Sequence, residues 1–478
     1  MLSYIPHIHL MELYGEYYFY DVNTNAIVSI PFETYGYLKA IVSQNTDDYA
    51  EVPEKVREGI EFLISQGLLS QKSEELKIQH TEANILENMY ENNLSTITLQ
   101  VTQNCNLRCN YCVYSGSYHN RVHNNKRMSW ETAKKALDFF HKHSSNSREI
   151  SVGFYGGEPL LEFKLIKKSV AYIKELFNGK DVIYTLTTNA TLLTEEMILF
   201  FSENNFNLVI SLDGPKDIQN KNRIFADEHK GTFEIIMQNL NKIRSIDEKF
   251  YSKISFNAVI DLNQDFACAN DFFMTYDEIK ELQVTGNYID DANRTDRYIV
   301  NDQYYVDSQY EIFKVFLYYC TDIFRIYKPK LLNSVVTSLK HDMYERFIVK
   351  GQKQKHSSPG GQCLPGIHRL LVNVDGKLYP CERLNESSDV LCIGDIDNGF
   401  DIQKAKNILN VSSITAEQCR NCWAFKLCEQ CVSLAEEEGE LSKTRRLSIC
   451  NSMRNSQEQK IKNYITLRKY GCNFEKLD

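Results

Sequence analysis

The sequence predicts an α/β fold built on a parallel sheet, with a small β-and-helix unit before it and a cysteine-rich unit after it. Two observations predict the sheet. Between residues 95 and 290, short β-rich runs alternate with amphipathic helical patterns. The connections between them are short, and strands joined through helices run parallel. The third observation marks the last unit: cysteine density rises sharply from Cys363 onward.

Residues 1–80 form the first unit. Tyr17–Asp21 and Ala26–Ile30 are β-rich runs on either side of turn residues, which predicts a hairpin. Phe32–Ile41 reads as a short helix. Pro53 opens a second helix with Val56, Ile60, Leu63 and Ile64 on one face, and Gly67 closes it in a left-handed conformation. Residues 80–95, rich in Glu and Asn, read as a linker helix. Ile97, Leu99 and Val101 alternate in the first strand of the sheet. Ser129 caps a helix whose stripe is Ala133, Ala136, Leu137 and Phe140. Ile150, Val152 and Phe154 mark the second strand, followed by a helix through Ile166, Val170 and Ile173. Val182–Thr187 is the third strand, and Thr194 caps the next helix. Leu208–Leu212 is the fourth strand, followed by a helix from Thr232 through Ile243; Ile254–Ile260 is the fifth strand and Leu282–Tyr288 the sixth. The sheet unit therefore spans 95–295. A helical bridge rich in Tyr and Lys covers 296–355, and the cysteine-rich unit covers 356–478.

The net charge, 54 − 63 = −9, argues against nucleic acid as the main partner. The most apolar long stretch, Ile312–Tyr327, is broken by Lys314, Asp322 and Arg325, so it reads as an amphipathic helix and no membrane span is expected. The start of the chain lacks a basic region followed by an apolar run, so no signal peptide is expected. With 14 cysteines and no export signal, metal or redox use is expected rather than disulfides, in a reducing cytoplasm.

Cys105-Asn-Leu-Arg-Cys109-Asn-Tyr-Cys112 follows the first strand on a loop. Three thiolates on one short loop can face one point, hold three irons of a [4Fe–4S] cube and leave the fourth iron open to another ligand. The alternative is zinc, which needs a fourth ligand that His119 or His123 could offer. Downstream, Gly156-Gly157-Glu158-Pro159 ends the second strand, Thr187-Thr188-Asn189 the third and Ser211-Leu-Asp213-Gly214 the fourth, with Arg223 shortly after. Glycines there let backbone come close to a ligand, and parallel strands place active sites at their C-terminal ends.

The Cx3Cx2C loop, with the aromatic Tyr111 before its last cysteine, resembles the signature of the radical S-adenosylmethionine (radical SAM) enzymes. The resemblance implies a partial (β/α)6 TIM-like barrel and a cluster at Cys105, Cys109 and Cys112. The open iron of that cluster chelates the methionine moiety of SAM, and an electron cleaves SAM to a 5′-deoxyadenosyl radical. It further implies that Gly156, Gly157 and Glu158 engage the SAM amino group and that Ser211 and Asp213 lie near its ribose and carboxylate. Arg223 would pair with that carboxylate, and Tyr111 and Asn189 complete the SAM site. Asn257 could reach the same mouth. For Arg223 the other reading is a surface ion pair.

The last unit resembles the seven-cysteine SPASM domain. Twelve residues separate Cys363 from Gly376, four more precede Cys381, and Cys419-x2-Cys422-x5-Cys428-x2-Cys431 and Cys450 follow. The family pattern usually has x3 before the sixth cysteine, where this chain has x2. By resemblance, Cys419, Cys422, Cys428 and Cys450 hold an outer cluster, and Cys363, Cys381 and Cys431 an inner one. That makes three [4Fe–4S] clusters with the first site. Some relatives place an extra cysteine shortly after the first; Arg369 and its neighbours here are not cysteines. Cys392, in the apolar run Val390–Ile393, reads as a buried strand residue, and Cys268, Cys320 and Cys472 as structural. A zinc ribbon is the alternative for the Cys419–Cys431 set.

Residues 1–80 are similar to the winged-helix-like leader-recognition modules of enzymes that modify ribosomally made peptides, which pair a leader with an exposed strand edge; the alternative is an extension that only caps the barrel. The combination implies a maturase that installs thioether crosslinks in a Cys-rich precursor peptide, served by an electron donor such as flavodoxin or ferredoxin. A substrate thiolate held at an open auxiliary iron would supply the sulfur. The alternatives are a carbon–carbon crosslink, formylglycine formation as in sulfatase maturases, or a non-catalytic zinc-bearing peptide-binding protein.

Overall fold

The computed structural model describes residues 2–44, 52–72, 75–114, 118, 123–227, 230–289, 294, 300–321, 323–324, 327, 330–346, 348 and 355–477. The chain opens with β1 (Ile8–Leu13), β2 (Glu16–Asp21) and β3 (Ala26–Ile30), an antiparallel sheet in that order. The expected hairpin closes with Asp21 opposite Ala26 and Asn25 left-handed. The Asp21 carboxylate accepts from the Thr24 N–H at 2.9 Å and from its hydroxyl at 3.0 Å. β1 lies outside that reading. Tyr14 and Gly15, both at positive φ, make the tight turn into β2 that sequence reasoning missed. Then come α1 (Phe32–Ser43) and α2 (Glu54–Ser65), the latter preceded by Pro53 and followed by Gly67 at φ 81.

Strand period sorts the side chains of β2. Phe19 packs into a local core with Leu38, Val56, Ile60 and Leu69. Tyr18 and Tyr20 face the other way, into the main core. The sheet also docks sideways. His9 of β1 stacks on Trp423 with centroids 3.7 Å apart, and its Nε2 lies 3.1 Å from the Glu458 carboxylate.

After β4 (Lys77–Ile78) and α3 (Leu86–Asn92), the repeated units begin: β5 (Thr96–Thr102), α4 (Trp130–Lys142), β6 (Ile150–Gly156), α5 (Phe163–Leu176), β7 (Val182–Thr188), α6 (Glu195–Glu203), β8 (Phe206–Ser211), α7 (Lys216–Asn222), α8 (Phe233–Ile246), α9 (Glu248–Tyr251), β9 (Ser255–Ile260), α10 (Phe266–Thr275) and β10 (Gln283–Tyr288). Ser129 and Thr194 cap α4 and α6 as expected, each accepting from a backbone N–H. The expected strands pair in parallel in the order β10-β9-β8-β7-β6-β5, so their C-terminal ends share one rim.

α11 (Asp302–Cys320) and α12 (Asn333–Leu339) follow. α11 starts ten residues before the Ile312–Tyr327 stretch read as a helix and ends inside it, seven residues short of Tyr327. Parts of 321–354 lie outside the described residues. Among the described residues no helix is long and apolar enough to cross a membrane.

The last part begins with β11 (His356–Ser357), which pairs with β4. β12 (Leu370–Val372), β13 (Lys377–Tyr379), β14 (Gly394–Asp395) and β15 (Gly399–Phe400) then extend the central sheet. β12 is parallel to β5, and the three strands beyond it are antiparallel to their neighbours, so one mixed sheet runs from β10 to β15. Sequence reading ended the sheet at the sixth strand. It missed this continuation because the added strands are two or three residues long, too short to show a period. Of the run Val390–Ile393, read as a buried strand, the first two residues lie in a 3₁₀ turn (Asp389–Leu391), and Cys392 follows it buried, its Sγ 3.3 Å from the Gly394 carbonyl. Among the other cysteines read as structural, Cys472 is buried but Cys268 is exposed on α10. α13 (Ile402–Leu409), α14 (Ala416–Arg420), α15 (Lys443–Ser448) and α16 (Cys450–Lys469) complete the chain's longer helices.

Candidate active site

The loop after β5 carries Cys105, Cys109 and Cys112 to the rim, and two neighbours fix it there. On one side it pairs with the segment after α7. Arg108 N–H donates to the Ile224 carbonyl at 2.9 Å, Asn110 N–H to Asn222 at 3.1 Å, and Ala226 N–H to Asn106 at 3.0 Å. On the other side it lies on the glycines that end β6. Gly157 N–H donates to the Thr102 carbonyl at 3.0 Å and Glu158 N–H to that of Asn104 at 2.9 Å. A Cβ on Gly156 would sit 2.0 Å from the Thr102 oxygen, and one on Gly157 2.1 Å from the Asn104 oxygen. The glycines were read as admitting a ligand; here they admit the cysteine loop's own backbone.

A cavity of about 180 Å³ opens at this rim. Its wall includes Cys105, Cys109, Cys112, Tyr111, Gly156, Gly157, Glu158, Asn189, Ser211, Arg223 and Asn257, together with His123. Of the residues singled out for SAM, Asp213 stands behind the wall. Its carboxylate takes both Arg223 Nε at 3.0 Å and Nη2 at 3.1 Å, the Val259 N–H at 2.9 Å, and the Tyr111 hydroxyl. Arg223 was expected to pair with a SAM carboxylate or to lie at the surface. Instead its fork is filled by Asp213, and it is buried, with its guanidinium carbon 5.4 Å from the Tyr111 ring centre. The bidentate pair fixes the Arg223 side chain beside Cys109.

Glu158 is similarly tied. Its carboxylate accepts from the Thr188 hydroxyl at 2.7 Å, the Asn189 N–H at 2.8 Å and the Leu160 N–H at 3.0 Å. Burial nonetheless raises its pKa to about 6. It joins the ends of β6 and β7. Asn106 and Gln219 were not singled out from the sequence. Asn106 Oδ1 accepts from Asn189 at 2.9 Å, and its amide donates to the Thr191 hydroxyl at 2.8 Å; Gln219 accepts from the Asp213 N–H at 2.8 Å. Lone amides carry no sequence signal, although Asn106 lies inside the cysteine motif. His119 lies outside the described residues.

A second cavity, of about 250 Å³, is walled by Cys419, Cys422, Cys428 and Cys450 among Ala424, Phe425, Leu447 and Met453. Of the remaining thiols, which line neither cavity, Cys381 and Cys431 lie close together. Cys363 follows Gly361, whose N–H donates to the Cys428 carbonyl at 2.9 Å. Arg369 forks onto Glu382, the neighbour of Cys381. Among the described residues no three His, Cys, Asp or Glu side chains group as they would around a single metal ion. The rim thiols and the Cys419, Cys422, Cys428 and Cys450 set instead line cavities, which suits a multi-iron cube and its soft donors. Burial pushes the Cys109 thiol up to about 12 and those of Cys381 and Cys428 to about 11, so taking up iron displaces their protons.

Residues 99–255, which hold the cysteine loop and strands β5–β8, match the model of the Radical SAM superfamily. Among individual relatives, the cysteine-type anaerobic sulfatase-maturating enzyme of Clostridium novyi (strain NT) is 27% identical over 385 residues, 77% of this chain and 95% of that protein. The radical SAM cyclopropyl synthase TigE of Paramaledivibacter caminithermalis is 26% identical over 210 residues, 41% of this chain and 44% of that one. The structure of native anSMEcpe with bound AdoMet superposes with TM-score 0.58 at 19% identity, covering 77% of this chain and 99% of that chain. The same protein with bound AdoMet and the Cp18Cys peptide gives 0.55 at 21%, again covering 77% and 99%.

Proposed function

We propose that this chain is a radical SAM enzyme that modifies a ribosomally made, Cys-rich precursor peptide by closing thioether bonds. The radical chemistry rests on the rim cavity, where three thiols share a wall with the polar groups of Asn189, Ser211 and Arg223. A bound [4Fe–4S] cluster with SAM would supply the 5′-deoxyadenosyl radical there. Cys105, Cys109 and Cys112 would hold that cluster. Asn189 and Ser211 offer hydrogen bonds to SAM, and Arg223, fixed by Asp213, offers positive charge beside the thiols. A peptide substrate is favoured by relatives that act on proteins and align over nearly their whole length.

The single observation that favours a thioether is that the spare thiol, Cys392, is buried and turned to the Gly394 carbonyl. The inner set that the resemblance gives is then Cys363, Cys381 and Cys431 alone. Three protein ligands leave room for a sulfur from the substrate. Closing one thioether removes a hydrogen atom from the acceptor carbon to the deoxyadenosyl radical. A proton leaves the thiol and one electron passes to the chain's bound redox group. The likeness to cysteine-type sulfatase maturases favours a second reading, oxidation of a substrate cysteine to formylglycine.

The test is an anaerobic reaction of the reconstituted enzyme with a Cys-rich peptide encoded beside its gene, SAM and reductant, read by mass. Loss of two hydrogens per crosslink with sulfur retained is expected. Loss of sulfur with gain of an aldehyde would decide for formylglycine. Cys431→Ala should stop the modification while part of the SAM cleavage survives, and Cys392→Ala should leave both nearly intact.

A further inference from the structure

Gln100 lies in β5 between the core residues Leu99 and Val101 and exposes no surface. A buried amide in such a place is disfavoured unless its hydrogen bonds are made. Here all four are. Its Nε2 donates to the Tyr114 hydroxyl at 3.0 Å and to both oxygens of the Glu386 carboxylate at 2.8 Å. Its Oε1 accepts from the Val374 N–H at 3.2 Å and from Gln103 Nε2 at 3.1 Å. The Tyr114 hydroxyl reaches Glu386 as well, at 3.2 Å, and the Tyr379 hydroxyl donates to the Glu386 carbonyl at 2.7 Å. The Glu386 carboxylate is half-buried, and an amide donating to a carboxylate is among the stronger neutral–charged contacts.

The segments joined are the two that matter for the proposed chemistry. Gln103 stands two residues before Cys105, and Tyr114 two after Cys112. Glu386 stands five residues after Cys381. The backbone does not join them: the ladder between β5 and β12 runs only from Ile97–Leu370 to Leu99–Val372 and stops one residue short of Gln100. From there the Gln100 side chain takes over the pairing, receiving the Val374 N–H where a strand carbonyl would have done so.

We infer that Gln100 and Glu386 are positioning residues that lock the 105–112 loop to the segment carrying Cys381. This keeps the site where the radical forms in register with the site where the modification is completed. The inference rests on the proposed peptide chemistry for its consequence, but not for the lock itself.

The test uses full-length, iron-reconstituted Gln100→Leu and Glu386→Gln proteins. Amide hydrogen exchange should rise together in 103–114 and 373–386 in Gln100→Leu, with iron per chain unchanged. With peptide present, 5′-deoxyadenosine should still form, but modified peptide per deoxyadenosine should fall about tenfold, as small misplacements of reacting groups do. Glu386→Gln keeps one acceptor oxygen and should recover most of the coupling. Exchange that rises in only one segment, or coupling that stays at the wild-type ratio while both segments loosen, would overturn the inference. If Gln100→Leu does not load iron, Glu386→Ala, which removes both acceptor oxygens, decides on the same two readings. If the wild type modifies no peptide, the functional proposal fails and the exchange result alone judges the lock.

Discussion

The rim cavity and the C-terminal cysteine cavity are both walled by thiols, but they are built in opposite ways. The rim draws its thiols from one loop, 105–112, and borrows the rest of its wall from the ends of neighbouring strands and from Arg223. The C-terminal cavity draws its thiols from positions spread over 419–450, among Phe425, Leu447 and Met453. The first has polar groups facing the space beside the thiols, and the second is the more apolar of the two, although Gln418, Gln430, Arg446 and Arg454 also line it. A site that must hold a second, charged ligand needs the first kind of wall; a site that only encloses redox-active sulfur is served by the second.

The contrast can be broken most completely at the rim. Replacing Cys105, Cys109 and Cys112 together by Ala should remove about a third of some twelve irons per chain and abolish 5′-deoxyadenosine formation, while the C-terminal set keeps its share. Iron analysis and chromatography of the reaction check both. Deoxyadenosine from the triple variant would place the chemistry elsewhere.

A narrower perturbation sharpens the same comparison. In Gly157→Ala the new methyl meets the Asn104 oxygen, so the cysteine loop must move. Overpacking of this kind costs about 1–3 kcal/mol. Thermal unfolding should show the loss, and the iron deficit should fall on the rim site alone. Uniform loss from both regions would mean that the loop is less independent than its contacts indicate.

The smallest expected effect concerns the docking of β1 on the C-terminal part. Burial lowers the pKa of His9 from 6.5, although Glu458 opposes the shift. The docked ring therefore favours its neutral form. The contact should be intact above pH 6.5 and weaken as pH falls below it, because the free ring binds a proton first. Protection factors in 8–13, corrected for the intrinsic pH dependence of amide exchange, should fall from pH 7.5 to 5.5 in the wild type and change less in His9→Phe.

Much of the fold was legible because its period is strong. β5–β10 each show alternating or continuous apolar runs, and Ser129 and Thr194 mark the helix starts. Gly156-Gly157, Asn189 and Ser211 were legible as rim residues because each stands at the end of a strand, but the packing of the glycines on the cysteine loop's backbone was not. The illegible part is what lies between distant segments. The fork of Asp213 onto Arg223, the carboxylate of Glu158 under Asn189 and the amide of Gln100 on Glu386 are each set by how elements pack. β1 escaped because Ile8–Leu13 mixes buried and half-exposed residues without a clean alternation.

One contact described above makes the molecule its own optical instrument. The chain has two tryptophans. Trp130 sits on α4 against Tyr172 and Lys168, far along the chain from the thiols of the last part. Trp423 follows Cys422 directly and lies face to face with the His9 ring, 7° from parallel. Its emission would thus respond both to an iron–sulfur group bound by the neighbouring thiols and to the stacked imidazole. Loading of the outer thiol set and lift-off of the N-terminal sheet should change that emission in opposite directions, in a single cuvette and without any label.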